Sequence, residues 1–184
     1  FDVSHMGEFI ISGPASEKFM QLVTINDVSK LGSGQAQYNA MCDKNGGIID
    51  DVIIYKKKNE FMMVVNASNI DKNFDWLESL LIEDVVLKNK STDIGLIAIQ
   101  GPSSRKILQS LVNQDISNLR FYHFIDGIDI IGNEALISRT GYTGELGYEI
   151  YASIESLKNI WEKLIQEGNQ HGLMPAGLGC RDTL

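Results

Sequence analysis

A thirteen-residue stretch of this chain occurs twice. Residues 11–23, ISGPASEKFMQLV, align without gaps to residues 99–111, IQGPSSRKILQSL, with six of the thirteen positions identical. Each copy succeeds an apolar, strand-like run, turns at Gly-Pro and enters a helical pattern. Proline in a first helical turn removes no hydrogen bond, because its missing N–H would have had no partner there. Phe19, Leu22 and Val23 form the expected apolar stripe of the first helix, and Ile107, Leu108, Leu111 and Val112 that of the second. The shared Gly-Pro context makes duplication a better account than a chance match.

The segments C-terminal to the two copies also correspond. In the first half QAQYNAM precedes GGIIDDVIIYKKKNEFMMVVN, which reads as strand, turn and strand. The spacing then predicts a helix over NIDKNFDWLESLL, with Ile70, Phe74, Leu77 and Leu81 on one side, and VVLKN closes the half as a strand. In the second half FYHFI and IDIIGNEALISRTGYTGELGYEIYAS supply strands and turns. A helix fits SIESLKNIWEKLIQEG, with Leu157, Ile160, Trp161 and Leu164 inward and Gly168 as its stop. Each half reads βαββαβ, the ferredoxin-like, split βαβ plan. The expected class is α+β: two ferredoxin-like modules, residues 1–90 and 91–184, each an antiparallel sheet backed by helices.

Composition narrows the function. A net charge of −8 argues against a nucleic-acid surface, where a basic stripe is expected. The basic run Lys56–Lys58 reads as a solvated hairpin end. No apolar run approaches the roughly 20 residues of a bilayer span, so no membrane partner is expected. No secretory signal is evident at the start, FDVSHMGEF, and both ends read as cuts through a longer protein. Cys42 and Cys180 form no CxxC pair and read as two small buried thiols. His5, His123 and His171 show no ligand spacing, so no metal is expected. The absence of a Ser-His-Asp or Cys-His arrangement argues against a hydrolase.

Three stretches remain as candidate chemistry. NGGIIDDVIIY, residues 45–55, places adjacent aspartates in a strand, where neighbours point to opposite faces. Asp50 shares a face with Ile48, Val52 and Ile54, and Asp51 with Ile49, Ile53 and Tyr55, so neither face reads as solvated. Either both sit at a partly wet strand mouth bonding local N–H groups, or one faces a pocket and meets a ligand nitrogen. Spacing does not choose between them. RTGYTGELGYEI carries glycines at 141, 144 and 147, a close-approach backbone that is not a nucleotide fingerprint. Tyr142 and Tyr148 are core residues or stacking rings for a flat ligand, and an inward Glu149 would need a partner. PAGLGCRDTL places Arg181 at the start of a helix, as a surface ion pair with Asp182 or as a grip on a carboxylate.

FDVSHM, GGIIDD, RTGYTGE.GYE and GLG.RDTL occur in this order from Phe1 to Leu184. In these motifs the chain resembles the aminomethyltransferases, or T-proteins, of the glycine cleavage system. The family enzyme is roughly twice as long, so an N-terminal segment and a C-terminal barrel-like domain are missing here. The resemblance implies two lobes of a three-lobed protein, with tetrahydrofolate in a central cavity. It implies that the aminomethyl group on the dihydrolipoyl arm of lipoylated H-protein loses ammonia, its carbon passing to tetrahydrofolate as 5,10-methylene-tetrahydrofolate. The family's catalytic aspartate, the second of the pair, falls on Asp51. A carboxylate there would stabilise an iminium-like carbon, hold the folate amine in line, or accept a proton, leaving Asp50 a structural role. By the same match Met6, Tyr38, Asn66, Tyr142 and Glu149 line the folate pocket. Glu149 would accept N–H donors from the pterin edge. Arg181 lies near the folate tail or the lipoyl approach. Cys180 departs from the small alanine common in the family.

Two relatives of this plan compete. A tetrahydrofolate-dependent demethylase of the same superfamily would take a methyl group from a sulfonium or amine and need no H-protein. A non-enzymatic folate-binding protein of iron–sulfur maintenance would carry a cysteine in the Gly-rich stretch, and residues 139–149 contain none. A third outcome is that this stretch has no activity alone. The resemblance implies cytoplasm in a bacterium or the matrix of a mitochondrion, and the Lys, Asn and Ile content leans bacterial.

Overall fold

The computed structural model describes residues 1–184, which divide into two compact units, 5–92 and 1–4 with 93–184. The first unit runs β1 (Gly7–Ser12), α1 (Ser16–Val23), β2 (Gln35–Cys42), β3 (Ile48–Lys56), β4 (Glu60–Val65), α2 (Ile70–Ser79) and β5 (Val86–Asn89). Its sheet has the order β2-β3-β4-β1-β5, with antiparallel pairs throughout. Strands β3-β4-β1-β5 form the split βαβ arrangement, and β2 adds an outer strand.

The second unit runs β6 (Ile94–Gln100), α3 (Ser104–Gln109), β7 (Phe124–Ile130), β8 (Asn133–Ser138), β9 (Gly147–Ser153), α4 (Ile154–Gly168) and α5 (Leu178–Arg181). Its antiparallel sheet has the order β6-β9-β8-β7. Position for position this is β1-β4-β3-β2 of the first unit, so the repeat extends to topology. No strand of the second half comes after α4. Residues 1–3 stand on β6 where β5 stands on β1: Val3 N donates to Leu96 O and Ala98 N to Phe1 O, both at 2.9 Å. Phe1–Ser4 therefore belong with the second unit, although the reading by halves groups them with the first.

Pleating divides each sheet into two faces. On one face of the first, Phe9, Ile11, Val52, Ile54, Met63 and Val65 pack against Phe19, Met20, Val23 and Leu77 of the helices. In the second, Ile97, Ile99, Ile137, Tyr148 and Ile150 pack against Ile107, Leu108, Leu157, Ile160 and Leu164. The buried methyl-rich side chains contribute about 1.5–3 kcal/mol each. The opposite, helix-free faces carry Glu8, Tyr38 and Asp51 in the first unit, and Ser138, Glu149 and Tyr151 in the second.

Several local expectations change. Pro14 and Pro102 precede their helices, at the second position of turns closed by Ser16 N to Gly13 O and Ser104 N to Gly101 O, both at 3.0 Å. The glycines opening these turns have φ +105° and +108°, which a side chain would strain. Met20 takes the buried place expected of Leu22, which is 62% exposed, and Leu81 lies beyond the end of α2. Gly168 does end α4, yet with a right-handed φ of −73°. Its lack of a side chain admits Leu173, whose Cβ would lie 2.6 Å from an added methyl. Cys42 is half-buried and Cys180 exposed, both as free thiols. No helix is long and apolar enough to cross a membrane.

Candidate functional site

The aspartate pair lies beside an irregularity in the β2–β3 ladder, where Met41 pairs with Asp50 and Cys42 with Ile48. Bulges of this kind re-aim side chains. Asp50 is buried and Asp51 exposed. The expectation that neither face is solvated therefore fails at Asp51 itself, although Tyr55 farther along the same face is fully buried. Asp50 is not bonded locally: it receives Asn73 Nδ2 at 2.6 Å and Asn66 Nδ2 at 2.8 Å, from residues distant in sequence. Asp51 Oδ2 accepts the Tyr38 hydroxyl at 3.0 Å, and Asp51 Oδ1 accepts Asn66 Nδ2 at 3.0 Å. Tyr38 and Asp51 reach each other because Tyr38 pairs with Ile53 and Ala40 with Asp51 in the β2–β3 register, which leaves both side chains on the helix-free face. Asn66 comes directly after the last residue of β4 and is free to reach round the strand end. Met6, half-buried, precedes β1, whose Gly7 pairs with Val65. Continued by one residue, that ladder sets Met6 beside Asn66.

In the second unit Glu149 is buried on β9, opposite Ser138. Thr140 donates its hydroxyl to Glu149 Oε2, and the Tyr151 hydroxyl lies 3.4 Å from the same oxygen. Ser138 Oγ lies 2.9 Å from Thr140 Oγ1. A hydroxyl has one hydrogen to give, so Ser138 donates to Thr140 and Thr140 to the carboxylate.

The glycine spacing of the β8–β9 loop has a specific cause. An added methyl at Gly141 or at Gly147 would lie 2.2 Å from Gln100 Oε1. Gln100 thus occupies the space between the two ends of the loop, accepts from Thr143 Oγ1 at 3.0 Å and donates to Tyr148 O at 3.4 Å. The two tyrosines separate. Tyr148 is a core residue whose hydroxyl accepts Arg105 Nε at 2.9 Å. Tyr142 packs edge-on against Phe1 at 5.5 Å, and its buried hydroxyl has no partner. Burial, with the charge of Glu149 adding and Arg181 opposing, pushes the Tyr142 hydroxyl up to about 12. Arg181 ends α5 rather than beginning it, donates Nε to Tyr142 O at 3.4 Å and lies 4.0 Å from Asp182. Its guanidinium sits 6.0 Å from the Tyr142 ring centre.

Besides Gln100, sequence reasoning missed Asn73, Thr140 and Tyr122 around these clusters and Glu8 apart from them. No pattern marks Asn73 within NIDKNFDWLESLL or Thr140 within RTGYTGELGYEI. Tyr122 is raised by burial and by Glu149 and holds φ +57°, uncommon for a bulky residue. Glu8 is fully buried on the helix-free face, with neither carboxyl oxygen partnered, and burial raises it to about 8. Its position in alternation with Phe9 and Ile11 was the available signal. A cavity of about 50 Å³, lined by Phe1, Ile97, Ile99, Gln100, Trp161 and Leu164, contains none of the candidate carboxylates and is too small for a fused-ring ligand. No cluster of three or more His, Cys, Asp or Glu side chains is placed to hold a metal ion.

The whole chain, residues 1–184, matches the model of the family described as GCVT N-terminal domain. The chain belongs to that family. Proteins named aminomethyltransferase from Bacillus subtilis (strain 168) and Geobacillus sp. (strain WCH70) are 51% and 50% identical to it, each over 185 residues. Both matches cover 100% of this chain and 51% of the relative, so the chain spans about half the length of these relatives. The crystal structure of glycine cleavage system aminomethyltransferase T from Bartonella henselae superposes over 100% of this chain and 49% of its own. Its TM-score is 0.89 and its identity 29%. A heterotetrameric sarcosine oxidase from Corynebacterium sp. U-96 shares the fold at TM-score 0.69, over 96% of this chain and 86% of its own, with 14% identity. This chain is thus two α+β units, with Tyr38 and Asp51 on the helix-free face of the first sheet and Glu149 on that of the second.

Proposed function

We propose that this chain forms the folate-handling part of an aminomethyltransferase of the glycine cleavage system. The reaction takes the aminomethyl carbon from the dihydrolipoyl sulfur of H-protein, releases ammonia and leaves the carbon on tetrahydrofolate as 5,10-methylene-tetrahydrofolate. The observation that carries this reading is the exposed Asp51 carboxylate, held on both oxygens by Tyr38 and Asn66 and open on the helix-free face.

A carboxylate fixed in this way favours positive charge on the carbon as ammonia departs, and it costs little reorganisation because its donors already set its orientation. Within the first unit, Met6, Tyr38 and Asn66 are the folate-lining residues of this reading. Within the second, taken by itself, Glu149 is oriented by Thr140 to accept the paired N–H groups of an aminopyrimidine edge. Tyr142 brings a buried hydroxyl with no protein partner, a donor fitted to a polar ligand atom. Arg181 meets the carboxylate tail or the lipoyl arm. The relatives named aminomethyltransferase support the reaction class.

Ammonia release from aminomethyl-loaded H-protein tests the reading, in the full polypeptide carrying this chain. The expected result is release that requires both H-protein and tetrahydrofolate. Transfer from a small sulfonium or amine without H-protein would replace it with the demethylase activity.

A further inference from the structure

Two adjacent carboxylates repel each other, and a buried one needs donors. Around Asp50 those donors are asparagines. Oδ2 accepts from Asn73 Nδ2 at 2.6 Å and from the backbone N of Asn66 at 3.4 Å, and Oδ1 accepts from Asn66 Nδ2 at 2.8 Å. The same Asn66 nitrogen lies 3.0 Å from Asp51 Oδ1 and 3.2 Å from Asp51 O. An amide nitrogen carries two hydrogens, and here each carboxylate takes one. Reversing the Asn66 amide would press its oxygen against both carboxylates, so its orientation is determined. The remaining Asp51 oxygen, Oδ2, accepts from Tyr38.

These bonds form one continuous chain: Asn73, Asp50, Asn66, Asp51, Tyr38. It begins on α2 in the helix-side core, where Asn73 is fully buried, and passes the end of β4 to the helix-free face. Asn73 Oδ1 is itself buried without a partner, which is unfavourable for a desolvated carbonyl. The fold tolerates that cost in order to aim the Asn73 nitrogen at Asp50. The opposite orientation of the two neighbouring aspartates has a use in this chain: one faces the core and anchors the amide, while the other faces the ligand side and is aimed by it.

We propose that Asp50 and Asn73 are positioning residues, which touch no reacting atom and act by fixing the Asn66 amide that orients the Asp51 carboxylate. This rests on the reading of Asp51 as the catalytic carboxylate. Asp50→Asn keeps size but sets an N–H₂ among three donors, one of which it must repel, so Asn66 is displaced. Misplacement of a catalytic group by about 1 Å costs up to about 100-fold in rate.

The test is a double-mutant cycle in the full polypeptide carrying this chain, with Asp50→Asn and Asn66→Ala, read as kcat and KM for tetrahydrofolate. Asp50→Asn is expected to lower kcat by about tenfold or more, with a smaller rise in KM for tetrahydrofolate from the displaced Asn66. In the Asn66→Ala background the same substitution is expected to change kcat no further. An equal loss in both backgrounds, or a loss confined to KM, overturns the proposal. The side-chain ¹⁵N–¹H signals of Asn66 give a readout independent of activity. They should be separated and slow to exchange in the parent, and collapse towards free-amide values in Asp50→Asn. Signals unchanged by Asp50→Asn overturn the proposal. Should Asp50→Asn fail to fold, Asn73→Ala removes the donor and leaves Asp50 in place, with the same expectations. Full activity in Asp51→Asn would refute the catalytic reading of Asp51 alone, and the amide signals would still decide whether Asp50 sets Asn66.

Discussion

Glu8 makes the stability of this protein depend on pH in a defined direction. Its carboxyl lies on the helix-free face of β1, fully buried, with neither oxygen hydrogen-bonded. Lys90, directly after β5, donates its backbone N to Glu8 O at 2.8 Å. Burial raises the carboxyl from an ordinary value of 4.5 to about 8. At neutral pH the folded chain therefore holds Glu8 protonated while the unfolded chain does not. Between those two values folding takes up a proton, so stability falls as pH rises, by up to about 1.4 kcal/mol per pH unit. The contribution is complete below the unfolded value and lost above about 8, a total of roughly 5 kcal/mol, of which about 3 kcal/mol is gone at pH 7.

Glu8→Gln removes the titration and keeps the shape. Urea unfolding of the parent and the variant from about pH 5 to about pH 8 should give diverging curves, the parent losing stability more steeply by about 1 kcal/mol per pH unit. The comparison of slopes is needed because a buried amide carries its own desolvation cost at every pH. Glu8→Met should behave like Glu8→Gln in slope. Parallel curves for the parent and both variants would refute the reasoning and mean that the carboxyl is already charged in the folded state.

The loop between β8 and β9 offers a packing prediction: Gly141→Ala or Gly147→Ala pushes the amide end of Gln100 aside and, by breaking its bonds to Thr143 and Tyr148 O, should destabilise by about 1 kcal/mol. Chemical denaturation should show that loss shrinking in a Gln100→Ala background, where the obstacle is gone. The Tyr142 hydroxyl, raised to about 12, should be among the last to ionise in an ultraviolet titration. Glu149→Gln should lower its pKa by removing a negative neighbour, and Arg181→Ala should raise it by removing a positive one; shifts of the opposite sign would contradict the electrostatic picture. Leu77→Ala, which truncates a fully buried residue on α2, should cost about 2–5 kcal/mol in urea unfolding.

The sheet-forming elements were legible because apolar alternation and the internal repeat report the same pleated, helix-backed plan twice. Two features were not. The segment that covers the β6 edge of the second sheet comes from residues 1–3, and a local pattern carries no record of a partner ninety residues away. Leu22 and Met20 exchange places because they flank the Phe19–Val23 pair on opposite sides of the helix and both are apolar, so periodicity does not say to which side the buried stripe extends. At the site, the residue types were visible in GGIIDD and RTGYTGELGYE, yet alternation could only set Asp50 and Asp51 on opposite faces. It could not say which face the helices cover. The answer depends on Asn66, which the family resemblance marked for the folate and not for Asp50, and on Asn73, which no pattern marks; folding brings both to Asp50. Gln100 escaped for the same reason: its task is defined only by the glycines it fills.

The most direct test of Asp51 as the catalytic carboxylate is single-turnover ammonia release with Asp51→Asn, in the full polypeptide carrying this chain. Tetrahydrofolate binding would be measured by calorimetry under reducing conditions on the same preparation. Asn keeps the hydrogen-bonded shape and removes the charge. Tetrahydrofolate binding should stay within about threefold of the parent, and release should slow by about 100-fold or more. Release at the parent's rate by a protein that binds folate normally would contradict the catalytic role and return Asp51 to a structural one.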